Sequence, residues 1–234
     1  MFAVIFEVHP YTETVDTYLA LAQELRPLLD DIEGFLSIER FTSIQRPGWV
    51  LSLSFWRDEA ALVRWRTVER HHEVQEQGRA SVFADYRLRV SQVILDHHEG
   101  QFAQPDRRTA YNDITFHPSM FATIFEVELS QHSNDLAARA EAPIGYHGLV
   151  HSERFESIYA QGKQLVLSTW QNEQAAMEWH AHITQSFPAM QGGYRWRVTE
   201  VERDYGMFVR SEAPQYYPPV KPRATCSAMD RAGG

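Results

Sequence analysis

The chain has 234 residues, of which 44% are hydrophobic, and its 22 Lys and Arg against 31 Asp and Glu give a net charge of −9. That apolar content excludes a largely disordered chain, and an acidic balance without a basic run disfavours nucleic acids and anionic membranes as partners. Cys226 is the single cysteine, which allows no internal disulfide and suits a reducing compartment; no stretch reads as a signal peptide or a bilayer span, so a cytoplasmic location is expected.

Residues 2–9 read as a strand that is apolar on both faces apart from Glu7. Residues 13–29 place Val15, Tyr18, Leu19, Ala22, Leu25 and Leu29 at helical spacing, with Pro27 bending or ending the last turn. Gly34 opens a second strand that reaches residue 44, Pro47-Gly48 makes a turn, and residues 49–55 alternate apolar side chains with serine as a third strand. Asp58 is expected to cap a second helix in which Ala61, Leu62, Trp65, Val68 and His72 share one face until Gly78 stops it. Residues 86–95 close the unit as a fourth strand, and the order βαββαβ is the split arrangement of ferredoxin-like folds.

The same grammar returns. Phe2-Ala3-Val4-Ile5-Phe6-Glu7-Val8 matches Phe121-Ala122-Thr123-Ile124-Phe125-Glu126-Val127 at an offset of 119. Residues 37–44 and 53–56 match 151–158 and 167–170 at an offset of 114, which also pairs Trp65 with Trp179; residues 86–90 match 194–198 at 108. Matches that keep their order, with length changes confined to helices and loops, mark an internal duplication. A first strand apolar on both faces needs cover on both. The expected fold is therefore α+β, with two ferredoxin-like repeats pairing within the chain into one barrel. The divisions are 1–95 for the first repeat, 96–119 for a linker, 120–204 for the second repeat and 205–234 for a C-terminal arm, partly disordered, around Tyr216-Tyr217-Pro218-Pro219. Glu202, Arg203, Asp204 and Tyr205 read as the start of that arm, a lid or a clamp between the halves.

The run from Phe55-Trp56-Arg57-Asp58-Glu59-Ala60 through Trp65-Arg66, His71-His72, Gln75 and Gly78-Arg79 to residues 83–90 resembles the antibiotic biosynthesis monooxygenase family of dimeric α+β barrels. The second half is similar through Ser168-Thr169-Trp170, Glu173, Ala176, Trp179-His180 and residues 203–208, with a shortened helix after Trp179. A tandem member would do within one chain what a homodimer does, further association into a homodimer staying open. The resemblance implies dioxygen-dependent oxygenation of a small phenolic, anthrone-like or quinone-like metabolite without metal, flavin or haem, the deprotonated substrate itself reducing dioxygen. Tandem members are also similar to ring-cleaving oxygenases helped by reduced flavin. A non-catalytic ligand-binding or stress-associated barrel protein is the alternative of a different class.

His72 is the expected proton acceptor, since on a continuous helix it returns near the Trp65 face while His71 turns away. The second half has Gln185 and Ser186 there; its own His180 and His182, two apart, do not share a face, so one working pocket is expected, in the first half. Trp65 and Trp179 are core residues or pocket walls, with Phe6 and the Tyr86 and Tyr194 phenols as further contacts. Arg87 or Arg89, and Arg195 in the second half, would stabilise an anion; the plainer reading is cross-strand ion pairs from the arginines to Glu7 and Glu126. The adjacent pairs His71-His72 and His97-His98 diverge in helix or strand, so no metal site is expected.

Overall fold

In a computed structural model, residues 1–98, 101–105, 120–128, 133–186 and 193–214 are described; Cys226, the Tyr216-Tyr217 arm and most of the linker lie outside them. The first half runs β1 (Phe2–Pro10), α1 (Val15–Asp30), β2 (Phe35–Ser43), β3 (Val50–Trp56), α2 (Glu59–Arg66), α3 (Glu69–Gln77) and β4 (Phe83–His98). A short β5 (Gln101–Ala103) folds back on the end of β4. The second half runs β6 (Phe121–Val127), α4 (Ser133–Ala140), β7 (Leu149–Ser157), β8 (Gln164–Trp170), α5 (Glu173–Ser186) and β9 (Tyr194–Gly206). Among the described residues no helix is long and apolar enough to cross a membrane.

Asp58 caps α2 as its sequence position suggests, its carboxylate accepting from the Ala61 amide at 2.8 Å. Gly34 turns the chain into β2 at φ 91°, and a Cβ there would come within 2.9 Å of Ala61, so the turn needs glycine. Pro27 sits in the last turn of α1, which runs on to Asp30 rather than ending at the proline.

The strands close into an antiparallel barrel ordered β1-β3-β2-β7-β8-β6-β9-β4, with β4 returning to β1. The two seams between the halves obey a pseudo-two-fold axis. Phe41 faces Ser157 as Ser43 faces Phe155, and Arg87 faces Gly206 as Arg195 faces His98. The β4–β9 seam is long because both strands outrun their sheets: β4 reaches His98, past the residue 95 expected, and β9 carries Glu202, Arg203, Asp204 and Tyr205, so the clamp between the halves is strand rather than arm.

Alternation along each strand divides the residues between two environments. Ala3, Ile5, Phe41, Leu51, Leu53 and Phe55 meet Ala122, Ile124, Phe155, Leu165 and Leu167 in the barrel interior, one apolar centre shared by both halves. Two related ionic groups flank it. Glu7 pairs with Arg89 and, at 2.5 Å, with Arg46, which also holds Glu153 at 2.5 Å. Glu126 pairs with Arg197 at 2.5 Å and with Lys163 at 3.2 Å, and Lys163 holds Glu39 at 2.5 Å. Each half thus sends one loop cation, Arg46 or Lys163, to a carboxylate of the other. The opposite sheet faces carry the helices.

Candidate active site

The two helix-covered faces pack differently. In the second half Phe121, Phe125, Trp170, Trp179, Ile183, Tyr194, Trp196 and Val198 belong to one continuous buried cluster. In the first half the packing splits into a group around Val8, Tyr18, Val50, Phe83 and Tyr86 and another around Phe2, Leu29, Trp56 and Ala61. Between them Val4, Phe6, Leu88 and Val90 are only partly buried, whereas their counterparts Thr123, Phe125, Trp196 and Val198 are at most 2% exposed. The exchange of Leu88 for Trp196 accounts for much of the difference, since the indole fills the space and buries its N–H with no acceptor among the described residues. The first half keeps open a space that the second half has closed.

The helical wall of this space corrects one expectation. The second helix of the first half is two helices, broken where Thr67 bonds its hydroxyl back to the Val63 and Arg64 carbonyls and Val68 turns extended at φ −64°, ψ 122°. The break resets the helical phase, so His71, rather than His72, lies against Trp65, with ring centroids 4.2 Å apart. Its Nδ1–H donates to the Trp65 carbonyl at 3.1 Å, leaving Nε2 as the acceptor, and burial, partly opposed by that bond, pushes the imidazole down to about 4. His72 sits on the flank of α3 with Gln75 and Arg79, its Nε2 3.2 Å from a Glu76 carboxylate oxygen.

The β9 extension supplies the remaining wall. Leu88 faces Tyr205 and Val90 faces Arg203, as Trp196 faces His97 and Val198 faces Leu95. Tyr205 and Met207 of the second half therefore pack beside Phe6 and Tyr86 of the first. Burial raises the Tyr205 phenol to about 12, and no described residue hydrogen-bonds its hydroxyl. Arg203 reaches Glu59 only at 3.7 Å, and Arg66, at the end of α2, is depressed by burial and by Arg203 beside it.

The related positions of the second half are neutral and satisfied. Arg66, Arg203 and Tyr205 correspond to His180, Leu95 and His97; the Tyr194 hydroxyl lies 3.2 Å from His97 Nε2, and His97 Nδ1 lies 3.4 Å from His180 Nε2. Burial pushes His180 to about 4 and lowers His97. Histidines buried neutral lower the folded state's affinity for protons, so their contribution to stability is complete above about 6.5 and is lost as pH falls towards 4. Chemical denaturation across that window should show stability falling with pH, and His180→Phe should flatten part of the slope; an unchanged slope would assign it elsewhere.

Several predicted contacts lie outside the space. Arg87 and Arg89 project into the barrel, bound to Asp204 at 2.5 Å and to Glu7 respectively, and Arg195 binds Asp96 at 2.6 Å there, because strand alternation puts all three opposite Tyr86 and Tyr194. The plainer reading of Glu7 and Glu126 as ion-pair partners is what the structure has. Trp179 is 4% exposed and donates its indole N–H to the Ala140 carbonyl, while His182 stacks on it from the exposed side. Phe6, Trp65 and Tyr86 do surround the open space. Arg66, Arg203, Tyr205 and His71 were missed as site residues; the exchange of Leu88 for Trp196 in the repeat was the signal that one half is filled. A cavity of about 620 Å³ lies next to this space at the β4–β9 seam and shares Tyr86, Tyr205 and Met207 with it; the carboxylates Asp85, Glu200, Glu202, Asp204 and Glu212 stand in its wall, and none of Trp65, His71 or His72 lines it.

A family model described as antibiotic biosynthesis monooxygenase matches residues 1–77. A protein named jasmonate monooxygenase, from Pyricularia oryzae, is 38% identical over 230 residues, covering 94% of this chain and all of its own. Among solved structures, an aldoxime dehydratase in complex with butyraldoxime superposes with a TM-score of 0.59 at 8% identity, covering 86% of this chain and 79% of that one, a likeness of fold alone.

Proposed function

The chain belongs to the antibiotic biosynthesis monooxygenase family and is an enzyme of that monooxygenase class, and on that premise we propose that it oxygenates a small, largely apolar metabolite in the helix-covered space of its first half. The contrast between the open first half and the closed second half carries this reading. Val4, Phe6, Leu88 and Val90 offer an apolar floor, Trp65 and His71 a stacked wall, and Tyr205 a side contributed by the other half. Such a setting favours a flat ring with an acidic O–H or C–H.

His72 is the proton acceptor in this reading, with Glu76 beside it to stabilise the imidazolium that forms. His71 has its Nδ1–H engaged and stays neutral at pH 7, so it is a hydrogen-bonding wall rather than a proton store. Removal of a proton from an activated methylene gives a carbanion that reduces dioxygen. Both C–H bonds of the methylene break, one oxygen atom stays on the carbon as a carbonyl, and the other leaves with the two hydrogens as water. The substrate carbon supplies every electron that dioxygen takes up, so no other reductant enters.

Oxygen uptake by metal-free and flavin-free protein against anthrones, hydroquinones and jasmonic acid tests this. Uptake without additions supports the substrate as reductant; uptake only with reduced flavin moves the electron source outside the substrate; no uptake in either condition defeats the reading. Leu88→Trp should copy the closed half, lowering uptake by at least about 10-fold through lost space while the melting temperature holds. Unchanged uptake in that variant would place the chemistry elsewhere in the barrel.

A further inference from the structure

We propose that the first-half space selects a substrate bearing a carboxylate, which Arg66 and Arg203 hold at its mouth with the Tyr205 hydroxyl. The inference rests on the reading that this space is the substrate site, and it names the class of molecule that the site takes. It starts from three polar heads with bonds unmade. Arg66 is partly buried and makes no ion pair or hydrogen bond with any described residue. Arg203 has only the long 3.7 Å approach to Glu59, with both side chains about 15% exposed. Tyr205 has a hydroxyl that no described residue engages.

Two guanidinium groups side by side raise each other's cost, as Arg66 shows, depressed first by burial and then by Arg203. A protein that needed this corner only for packing has a cheaper solution, and this chain contains it. At the related positions the second half carries His180, Leu95 and His97, which are buried, uncharged and in contact with one another or with the core. The first half instead keeps two cations and a phenol together where the end of α2, with Arg66, meets Arg203 and Tyr205 on the same face of β9, beside the helix–sheet space that stays open among the described residues. An anion would engage all three and relieve the repulsion between the arginines.

The local charge argues for a monoanion rather than a phosphate. Glu59 already offsets part of the pair's charge, and Glu202, near Glu59 and Arg203, has its carboxyl raised by burial and by its acidic neighbours. A carboxylate matches what is left over. The floor of Val4, Phe6, Leu88 and Val90 takes the apolar body of such a molecule, so the ligand is amphipathic, apolar within and anionic at the mouth. Jasmonate, after which the relative from Pyricularia oryzae is named, is itself a small apolar carboxylate.

Calorimetric titration of the full chain with acids and their methyl esters tests the proposal, using jasmonic acid with methyl jasmonate and 2-naphthoic acid with methyl 2-naphthoate. The expected result is one site per chain at which at least one acid binds ~10-fold or more tightly than its ester, the worth of a hydrogen bond between charged groups. Arg66→Gln and Arg203→Gln should each erase most of that preference by weakening the acid and leaving the ester unchanged, with melting temperatures held. If no acid is preferred over its ester, or the preference survives both substitutions, the proposal is overturned. Leu88→Trp separates this outcome from failure of the site itself: blocked uptake in Leu88→Trp beside an unaltered acid preference in Arg66→Gln would keep the site and discard the carboxylate contact.

Discussion

Replacing His72 by alanine is expected to lower turnover by about 10²–10⁴-fold, the usual worth of a positioned acid or base, while His182→Ala leaves turnover unchanged. The asymmetry follows from the role proposed for His72. His72 lies on the flank of α3 with its ring nitrogen on Glu76, and His182 stacks on the exposed side of a tryptophan that is already packed. If His72 removes the substrate's proton, the alanine variant should regain activity as pH approaches the substrate's own pKa, where the solvent does the same work. A variant damaged only in its fold would show no such recovery. Equal activity of the two alanine variants would end this assignment, and a loss confined to His71→Ala would move the base one residue back.

The second large effect concerns stability. Glu7→Ala removes the carboxylate that Arg89 binds inside the barrel, where the guanidinium is 1% exposed and its Nε already lacks a partner among the described residues. Stranding a buried charge in this way costs about 3–5 kcal/mol. At roughly 2–4 °C per kcal/mol for a chain of this size, the melting temperature should fall by about 6–20 °C. Glu126→Ala should cost less, because Arg197 keeps Asp96 at 3.5 Å. The double variant Glu7→Leu with Arg89→Met should recover much of the loss, since neither charge is then left unpaired. Thermal and denaturant melts of the four proteins decide this; a Glu7→Ala protein within about 1 kcal/mol of the parent, on the scale of an exposed pair, would show that water reaches the interior.

The repeat made the scaffold legible. Strand patterning and the matched residues gave two βαββαβ units and required that each sheet cover the other, and the barrel has that form. The lining of the candidate site was legible in part. Trp65, Phe6 and Tyr86 stand where the pattern put them, but the histidine facing Trp65 was displaced by one because a helical wheel assumes an unbroken helix. Neither proline nor glycine marks the break at Thr67 and Val68; a hydroxyl bonded back to two carbonyls does, and such a bond leaves only a weak trace in sequence. Arg203 and Tyr205 were assigned to a clamp or arm, since only the register of β9 on β4 shows which face of which half they reach. Arg87 and Arg89 show the converse. Their alternation with Tyr86 was visible, and it places them on the barrel side of the sheet, opposite the helix-covered space.

The long β4–β9 seam also bears on how the enzyme responds to dilution. Tyr205 and Arg203 bring residues of the second half to the proposed first-half site, and the two halves are one covalent chain, so their encounter is governed by a fixed effective concentration rather than by how much protein is present. Specific activity should stay level as the enzyme is diluted from micromolar to picomolar. Chain fusion turns site assembly from an equilibrium between subunits into a property of every folded molecule.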